Sequence, residues 1–244
     1  PLRQTHALKT SNPQVVNHGL EADGQDDRFV GKMQAAEKPR MDLQAPPFNM
    51  GANPNFTRHT ETMTLKLKER KFTVSLDDFA ITDAYTNETV FDVDAKAFSL
   101  RSKRRFRDAA GQPVYTLTRT PLSFHQRFEG LNEDTNDLMF SVTSHFAFGM
   151  TRYKISFKNW AHEGEETELQ VFGDMAGHFA EISIPDGPVV GQIRQSFLNS
   201  GEIFFDQQSY YLVVAPGVDV SMLCAAVIVL DELEHELKQN KEGN

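Results

Sequence analysis

The stretch that decides the fold lies near the C-terminus and reads A-P-G-V-D-V-S-M-L-C-A-A-V-I-V-L-D-E-L-E-H-E-L, from Ala215 to Leu237. Its centre, Met222–Leu230, contains nine apolar residues without interruption. At 3.6 residues per turn, these residues cover every face of a helix. A helix that is apolar all round must be surrounded by protein, and this one is far shorter than the roughly 20 apolar residues that cross a bilayer. The stretch therefore predicts a helix buried in the core.

The limits of this helix follow from its flanking residues. Pro216-Gly217 is a turn signal, and the carboxylate of Asp219 can accept hydrogen bonds from the unpaired backbone N–H groups of a first helical turn. These signals predict a helix over Val220–Leu237. After Asp231 the apolar positions thin to one stripe, so this end is expected to reach solvent. The predicted core residues of the helix are Met222, Leu223, Cys224, Val227, Ile228 and Leu230.

The chain before the helix is predicted to be β. Regular alternation begins at Met63, where Leu65 and Leu67 point to one face and Lys66 and Lys68 to the other. Further on, a unit of strand, tight turn and strand recurs, which is typical of antiparallel hairpins. Repeated hairpins around one apolar helix favour a closed barrel, because closure removes the edge strands. The predicted hairpins pair Phe79–Asp83 with Val90–Val93, Arg104–Asp108 with Val114–Thr118, and Ala180–Ile184 with Val189–Ile193.

Composition divides the chain into three parts. Residues 1–58 are polar, poor in aromatic residues and without sustained periodicity, which predicts a disordered N-terminal tail. Residues 59–238 are predicted to form the barrel domain, and residues 239–244 a disordered C-terminal end. The tail is expected to offer a short segment to a protein partner.

Charge and cysteine content bound the partners and the compartment. The formal net charge is −9, which argues against nucleic acid as a partner. The single cysteine, Cys224, lies inside the predicted helix, so no disulfide framework is expected. With no signal peptide or membrane-spanning stretch recognised, the expected location is the cytoplasm; the inner membrane surface and the nucleus are left open.

Two ordered sets of motifs point to a family. The first set is Asp78-Phe79, Val90–Val93, Lys96–Leu100, Arg105–Asp108, Gly111–Val114, Leu122–His125 and Arg127–Glu129. The second is Val213–Asp219 with Val229–Glu232. Together they resemble the LURP-one-related proteins over about residues 60–238. The resemblance implies a tubby-like fold, related to phospholipid scramblases: a closed antiparallel barrel of about twelve strands around one central C-terminal hydrophobic helix.

What the resemblance implies for function is more limited. It implies no enzymatic activity. Tubby-type domains bind phosphoinositide headgroups through basic side chains of the barrel. The stretch of this chain that corresponds to the basic strand of tubby is Val114–Leu122, where Arg119 is the one basic residue. No other ligand residue is carried over.

The sequence also offers little for catalysis. No H-E-x-x-H, G-x-S-x-G, P-loop or G-x-G-x-x-G motif is present. The acidic run His162–Glu168 lacks the spacing of a calcium loop and is predicted to be a solvated loop. Cys224 has no electropositive setting that would activate its thiol. We therefore expect a protein that is not an enzyme and that holds no metal and no cofactor.

One basic run invites a functional interpretation. The heptapeptide R-S-K-R-R-F-R, Arg101–Arg107, carries five cations in an otherwise acidic chain. One interpretation is a basic turn that pairs with nearby carboxylates; the other is a surface for anionic phospholipid headgroups. The candidate lipid- or anion-binding residues are Arg101, Lys103, Arg104, Arg105, Arg107 and Arg119.

Three functions remain open on the sequence. The leading hypothesis is a non-catalytic intracellular binding or adaptor module that recognises phosphoinositides or anionic membrane surfaces. The first alternative is a protein-interaction or signalling protein without lipid binding. The second is a scramblase-like lipid-handling protein, which is disfavoured because no palmitoylation segment, calcium loop or bilayer-length helix is visible.

Overall fold

The structure, a computed structural model, describes residues 43–69, 79–95, 103–120, 126–147, 150–174, 179–194, 197–199, 202–204 and 209–242. The strands are β1 Met63–Glu69, β2 Phe79–Asp83, β3 Thr89–Ala95, β4 Arg104–Asp108, β5 Pro113–Arg119, β6 Arg127–Leu131, β7 Leu138–Ala147, β8 Met150–Asn159, β9 Glu165–Asp174, β10 Phe179–Ser183, β11 Val189–Arg194, β12 Phe197–Asn199, β13 Glu202–Phe204 and β14 Ser209–Val214. One α-helix, α1, spans Val220–Glu242, and Pro54–Phe56 and Trp160–His162 form short 3-10 helices.

Twelve of these strands close into a barrel. β1 to β10 each pair with the next strand in the chain, and β14 completes the circle between β11 and β1. β12 and β13 form a separate two-stranded sheet. All three hairpins predicted from the sequence are present, as β2–β3, β4–β5 and β10–β11. The prediction of a mostly β, closed antiparallel barrel around one C-terminal helix is confirmed.

Strand periodicity decides which side chains fill the barrel. On β1, Leu65 and Leu67 are fully buried, as the alternation predicts, and pair in register with Leu212 and Tyr210 of β14. Lys66 and Lys68 alternate with them and lie on the outer face. The acidic run at 162–168 differs from its predicted loop, because β9 already begins at Glu165 and continues the same alternation.

The helix occupies the centre of the barrel. The six predicted core residues of α1 are each at most 1% exposed, as expected. Asp219 caps the helix as predicted: its Oδ1 accepts hydrogen bonds from the backbone N–H groups of Ser221 and Met222. The helix ends at Glu242 rather than at Leu237 and so includes residues 239–242, which were predicted to be disordered. Lys, Gln and Glu in this last turn are good helix formers.

Residues 43–58, here called the N-terminal strap, correct the predicted domain boundary. Met50 is 1% exposed; its N–H donates to the carbonyl of Gly217 at 2.9 Å, and the N–H of Asp219 donates to its carbonyl at 2.8 Å. The Asn159 side chain accepts from Gly51 N at 3.2 Å and donates to the Asn49 carbonyl at 3.1 Å. The strap therefore packs against the barrel end where α1 begins, and its assignment to a disordered tail is wrong.

The part of the predicted tail over residues 1–42 lies outside the described residues. Within the described part of the chain, no helix is long and apolar enough to cross a membrane.

Candidate functional site

The interior of the barrel is occupied by the helix. Residues 220–230 of α1 are each at most 4% exposed. The hydroxyl of Tyr115 donates to the carbonyl of Ser221 at 2.7 Å, which ties β5 to the first turn of the helix. A ligand therefore has no room along this part of the lumen, and binding has to use the outer wall or the barrel ends.

The buried titratable groups are structural in character. Burial raises the pKa of Asp219 although four hydrogen bonds to its carboxylate act in the opposite direction. Burial also raises the pKa of the Cys224 thiol and the Tyr115 hydroxyl, so both are protonated at neutral pH. A thiol that stays protonated is a poor nucleophile. Among the described residues, no group of three or more His, Cys, Asp or Glu side chains could hold a metal ion.

Two of the candidate anion-binding residues lie at the helix-exit end, the barrel end where α1 leaves the lumen. Arg104, 5% exposed, forms an ion pair with Glu232 of the helix. Arg119 forms an ion pair with Glu236, which also accepts from Nε2 of Gln126 at 3.1 Å. These two arginines therefore join the barrel wall to the helix, and their charges are neutralised within the chain.

Three more candidates lie on the outer side of β4 or just before it. Arg105 lies 3.5 Å from a carboxylate oxygen of Glu133, and Arg107 lies 3.8 Å from one of Asp94. Lys103 is exposed, and Arg101 lies outside the described residues. Strand periodicity thus places neighbouring residues of the basic run on opposite faces of β4. Arg104 points inward, while Arg105 and Arg107 point outward beside carboxylates.

A second cationic surface, which the sequence analysis missed, lies on the outer wall. We call it the aromatic–arginine patch: Arg152 on β8, Phe172 on β9, Phe179 on β10 and Arg194 on β11. The rings of Phe172 and Phe179 are 40% and 38% exposed. The guanidinium of Arg152 lies 5.7 Å from the centroid of Phe172, and that of Arg194 lies 5.2 Å from the centroid of Phe179. Each arginine thus lies within cation–π distance of a phenylalanine.

The strand register explains why this patch carries cations. On β8 the outward residues include Lys154 and Lys158; Lys154 bonds Glu168 of β9 at 2.6 Å, and Lys158 is in register with Glu166. Further along β9 the outward series changes from glutamate to glutamine and then to Phe172. Arg152 therefore lies beside an aromatic ring, whereas Lys154 and Lys158 on the same strand lie beside glutamates of β9. The signal in the sequence was Phe172, an aromatic residue that follows Glu166, Glu168 and Gln170 in a polar series of period two.

The comparisons with known proteins agree on one family. The sequence model described as LURP-one-related matches residues 63–231. Protein LURP-one-related 15 of Arabidopsis thaliana is 25% identical over 169 residues, which are 67% of this chain and 77% of that protein. Protein LURP-one-related 10 of the same plant is 23% identical over 189 residues, 75% of this chain and 96% of that protein.

A solved structure supports the fold. The crystal structure of an Arabidopsis thaliana protein matches with a TM-score of 0.53 and 19% identity, covering 76% of this chain and 99% of that one. At this level of identity the likeness concerns the fold alone.

Proposed function

The chain belongs to the LURP-one-related family, and from this premise we propose that it is a non-catalytic binding module that engages a protein partner through the outer wall of its barrel. The observation that carries the proposal is the helix-filled lumen, in which residues 220–230 are at most 4% exposed. A barrel filled in this way acts as a rigid scaffold, and recognition has to take place on its surface. This proposal corresponds to the first of the alternatives left open by the sequence.

A protein partner is favoured over a lipid surface by the distribution of charge. Arg104, Arg105, Arg107 and Arg119 each lie beside a carboxylate of the chain itself. An anionic headgroup would have to displace these carboxylates, and the net charge of −9 opposes approach to an anionic membrane. Phosphoinositide recognition by the basic run therefore stays a prediction, as do the cytoplasmic location and a partner for the tail.

The experiment is site-specific photocrosslinking in cells that express the chain. A benzoyl-phenylalanine is placed separately at Leu138 and at Phe172, which are 48% and 40% exposed on the outer wall, and at the buried Phe140 as a matched negative position. We expect discrete protein adducts from at least one of the two exposed positions and none from Phe140. Adducts to lipid alone would replace the proposal with the lipid alternative, and no adduct from either exposed position would refute it.

A further inference from the structure

We infer that the aromatic–arginine patch docks an acidic peptide segment that presents one bulky apolar side chain between two carboxylates. The inference rests on the proposed function and specifies its partner. It differs from the basic run of the sequence analysis in residues, strands and chemistry.

Among the side chains that the structure describes, neither Arg152 nor Arg194 has a carboxylate partner. Their described contacts are the two phenylalanine rings and, for Arg194, the side-chain oxygen of Gln192 at 3.3 Å. A guanidinium beside a ring can still donate its terminal N–H groups to a carboxylate; in Arg194 the terminal nitrogens serve this role, because its Nε is buried. Two such arginines, one on each side of the patch, therefore favour a partner with two carboxylates.

Phe172 and Phe179 lie on adjacent strands between the two arginines, and both expose more than a third of their surface. Exposed aromatic side chains next to arginine are the composition that is enriched in protein interfaces and their energetic hot spots. A bulky apolar side chain laid across the two rings would bury apolar surface on both partners.

The spacing of the two arginines follows from the strand register. β8 and β11 are separated by three strand-to-strand steps of about 4.8 Å, and Arg194 lies two residues further along its strand than the position level with Arg152, so their Cα atoms are on the order of 16 Å apart. An extended peptide advances about 3.4 Å per residue, so carboxylates at positions i and i+4 lie about 14 Å apart, and the long arginine side chains can cover the difference. Residue i+2 points to the same face as these two and lies midway between them. The geometry thus selects the order acid, any residue, apolar, any residue, acid.

The carboxylates around the patch favour a short peptide over a membrane surface. Glu181 lies on the patch side of β10, in register with Phe172, and Glu166 and Glu168 lie further down β9. An extended anionic surface would meet these carboxylates along with the arginines. Of these carboxylates a short peptide with two acids meets only Glu181, beside the two arginines and the rings, so charge complementarity favours the peptide over a membrane.

The test uses a fluorescent synthetic peptide with the core Asp-Ser-Phe-Ser-Asp, and fluorescence anisotropy with the full chain. We expect saturable binding that weakens with salt and that is lost when both acids of the peptide are replaced by asparagine or its phenylalanine by serine. Arg152→Gln and Phe172→Ala should each weaken binding by about tenfold or more. Glu181→Gln should strengthen it about twofold, because it removes a nearby like charge.

The matched control is Lys154→Gln, which removes one cation from the same face of the same strand, two residues from Arg152. It should change the affinity less than about twofold, because Lys154 is already paired with Glu168. Equal weakening by Lys154→Gln and Arg152→Gln would mean nonspecific attraction and would overturn the inference. Absence of binding at millimolar protein, binding of phosphatidylserine vesicles in its place, or patch-dependent self-association would overturn it as well.

The two proposals fail in different ways. Photocrosslinks to protein from Leu138 but not from Phe172, together with no peptide binding, would refute peptide docking at the aromatic–arginine patch. They would leave intact the proposal that the outer wall binds a protein partner. Crosslinks from neither exposed position would overturn the function itself.

Discussion

Replacing Asp219 by alanine tests whether the junction of helix, strap and barrel holds the fold together. The carboxylate is 1% exposed and accepts four hydrogen bonds: from Asn53 N at 2.9 Å, Ser221 N at 3.0 Å, Ser221 Oγ at 2.6 Å and Met222 N at 3.2 Å. The substitution removes the cap of α1 and the anchor of the strap at once. We expect a marked loss of stability with the fold retained.

The magnitude follows from these contacts. Loss of an N-cap costs about 0.5–2 kcal/mol, and an N–H group of Asn53 left without its acceptor costs about 1–3 kcal/mol. Removal of a buried carboxylate recovers part of its desolvation cost, which keeps the net loss near roughly 2–4 kcal/mol. For a domain of this size the midpoint of thermal unfolding should fall by about 5–15 °C. Urea unfolding followed by circular dichroism gives the free energy directly.

Asp108→Ala is the matched control. Its Oδ1 also accepts two backbone N–H groups, from Ala110 and Gln112, but in an exposed turn where water can replace it. This variant should lose less than about 1 kcal/mol. If Asp219→Ala and Asp108→Ala are equally mild, the buried junction contributes no more than an ordinary turn, and the reasoning is refuted.

The same carboxylate predicts a pH dependence. Because the folded pKa of Asp219 is raised above its ordinary value of 3.8, the native state binds more protons than the unfolded state in the window just above that value. Wild type should therefore lose stability relative to Asp219→Asn as the pH rises through this window, and the difference should be constant above the folded pKa. Urea midpoints of the two proteins across the acidic range measure it, and a difference that is flat or slopes the other way would contradict the raised pKa.

Three further predictions concern the core, the strap and the basic run. Ile228→Asp should yield insoluble or unfolded protein, because burying an unpaired charge in the filled lumen exceeds a typical margin of about 5–15 kcal/mol; a cooperatively unfolding variant by calorimetry would contradict this. Limited proteolysis should leave a resistant core that begins near residue 43, and a fragment that begins after residue 58 on mass spectrometry would show that the strap is not held. Lys103→Glu/Arg105→Glu should bind phosphoinositide liposomes no less than wild type in co-sedimentation at low salt; binding by wild type that the variant loses would favour the lipid hypothesis.

The architecture could be predicted because its signals are local and periodic. Nine successive apolar residues in Met222–Leu230 require burial on all sides, and the strands around them carry a period of two. Each predicted hairpin has its turn residues between two such strands. The N-cap role of Asp219 follows from the same kind of local signal, since the acceptor lies two and three residues before its donors.

The strap could not be found in this way. It is held by backbone groups of Met50 and Gly51 and by the side chain of Asn159, more than a hundred residues away. A Cβ added to Gly51 would lie 2.3 Å from the Cβ of Asp219, so the glycine permits a close approach that no periodicity reveals. A segment that is polar in composition can therefore be ordered when a partner surface satisfies its backbone.

Strand register determines which carboxylates or rings lie beside each cation, and therefore the net charge of a surface. The positions of basic residues in the sequence do not contain this information. Arg104 and Arg105 are neighbours in sequence, yet one pairs with the helix inside the barrel and the other with Glu133 outside. Arg152 is isolated in sequence, yet it lies beside an aromatic ring, because the outward positions of β9 are Glu166, Glu168 and Gln170 and then Phe172. Counting cations along the chain therefore points to the basic run, whereas pairing them across strands points to the patch. If the peptide binds at Arg152 and liposome binding does not depend on Lys103 and Arg105, then pairing the cations across strands, and not counting them along the chain, identifies the binding surface of this barrel.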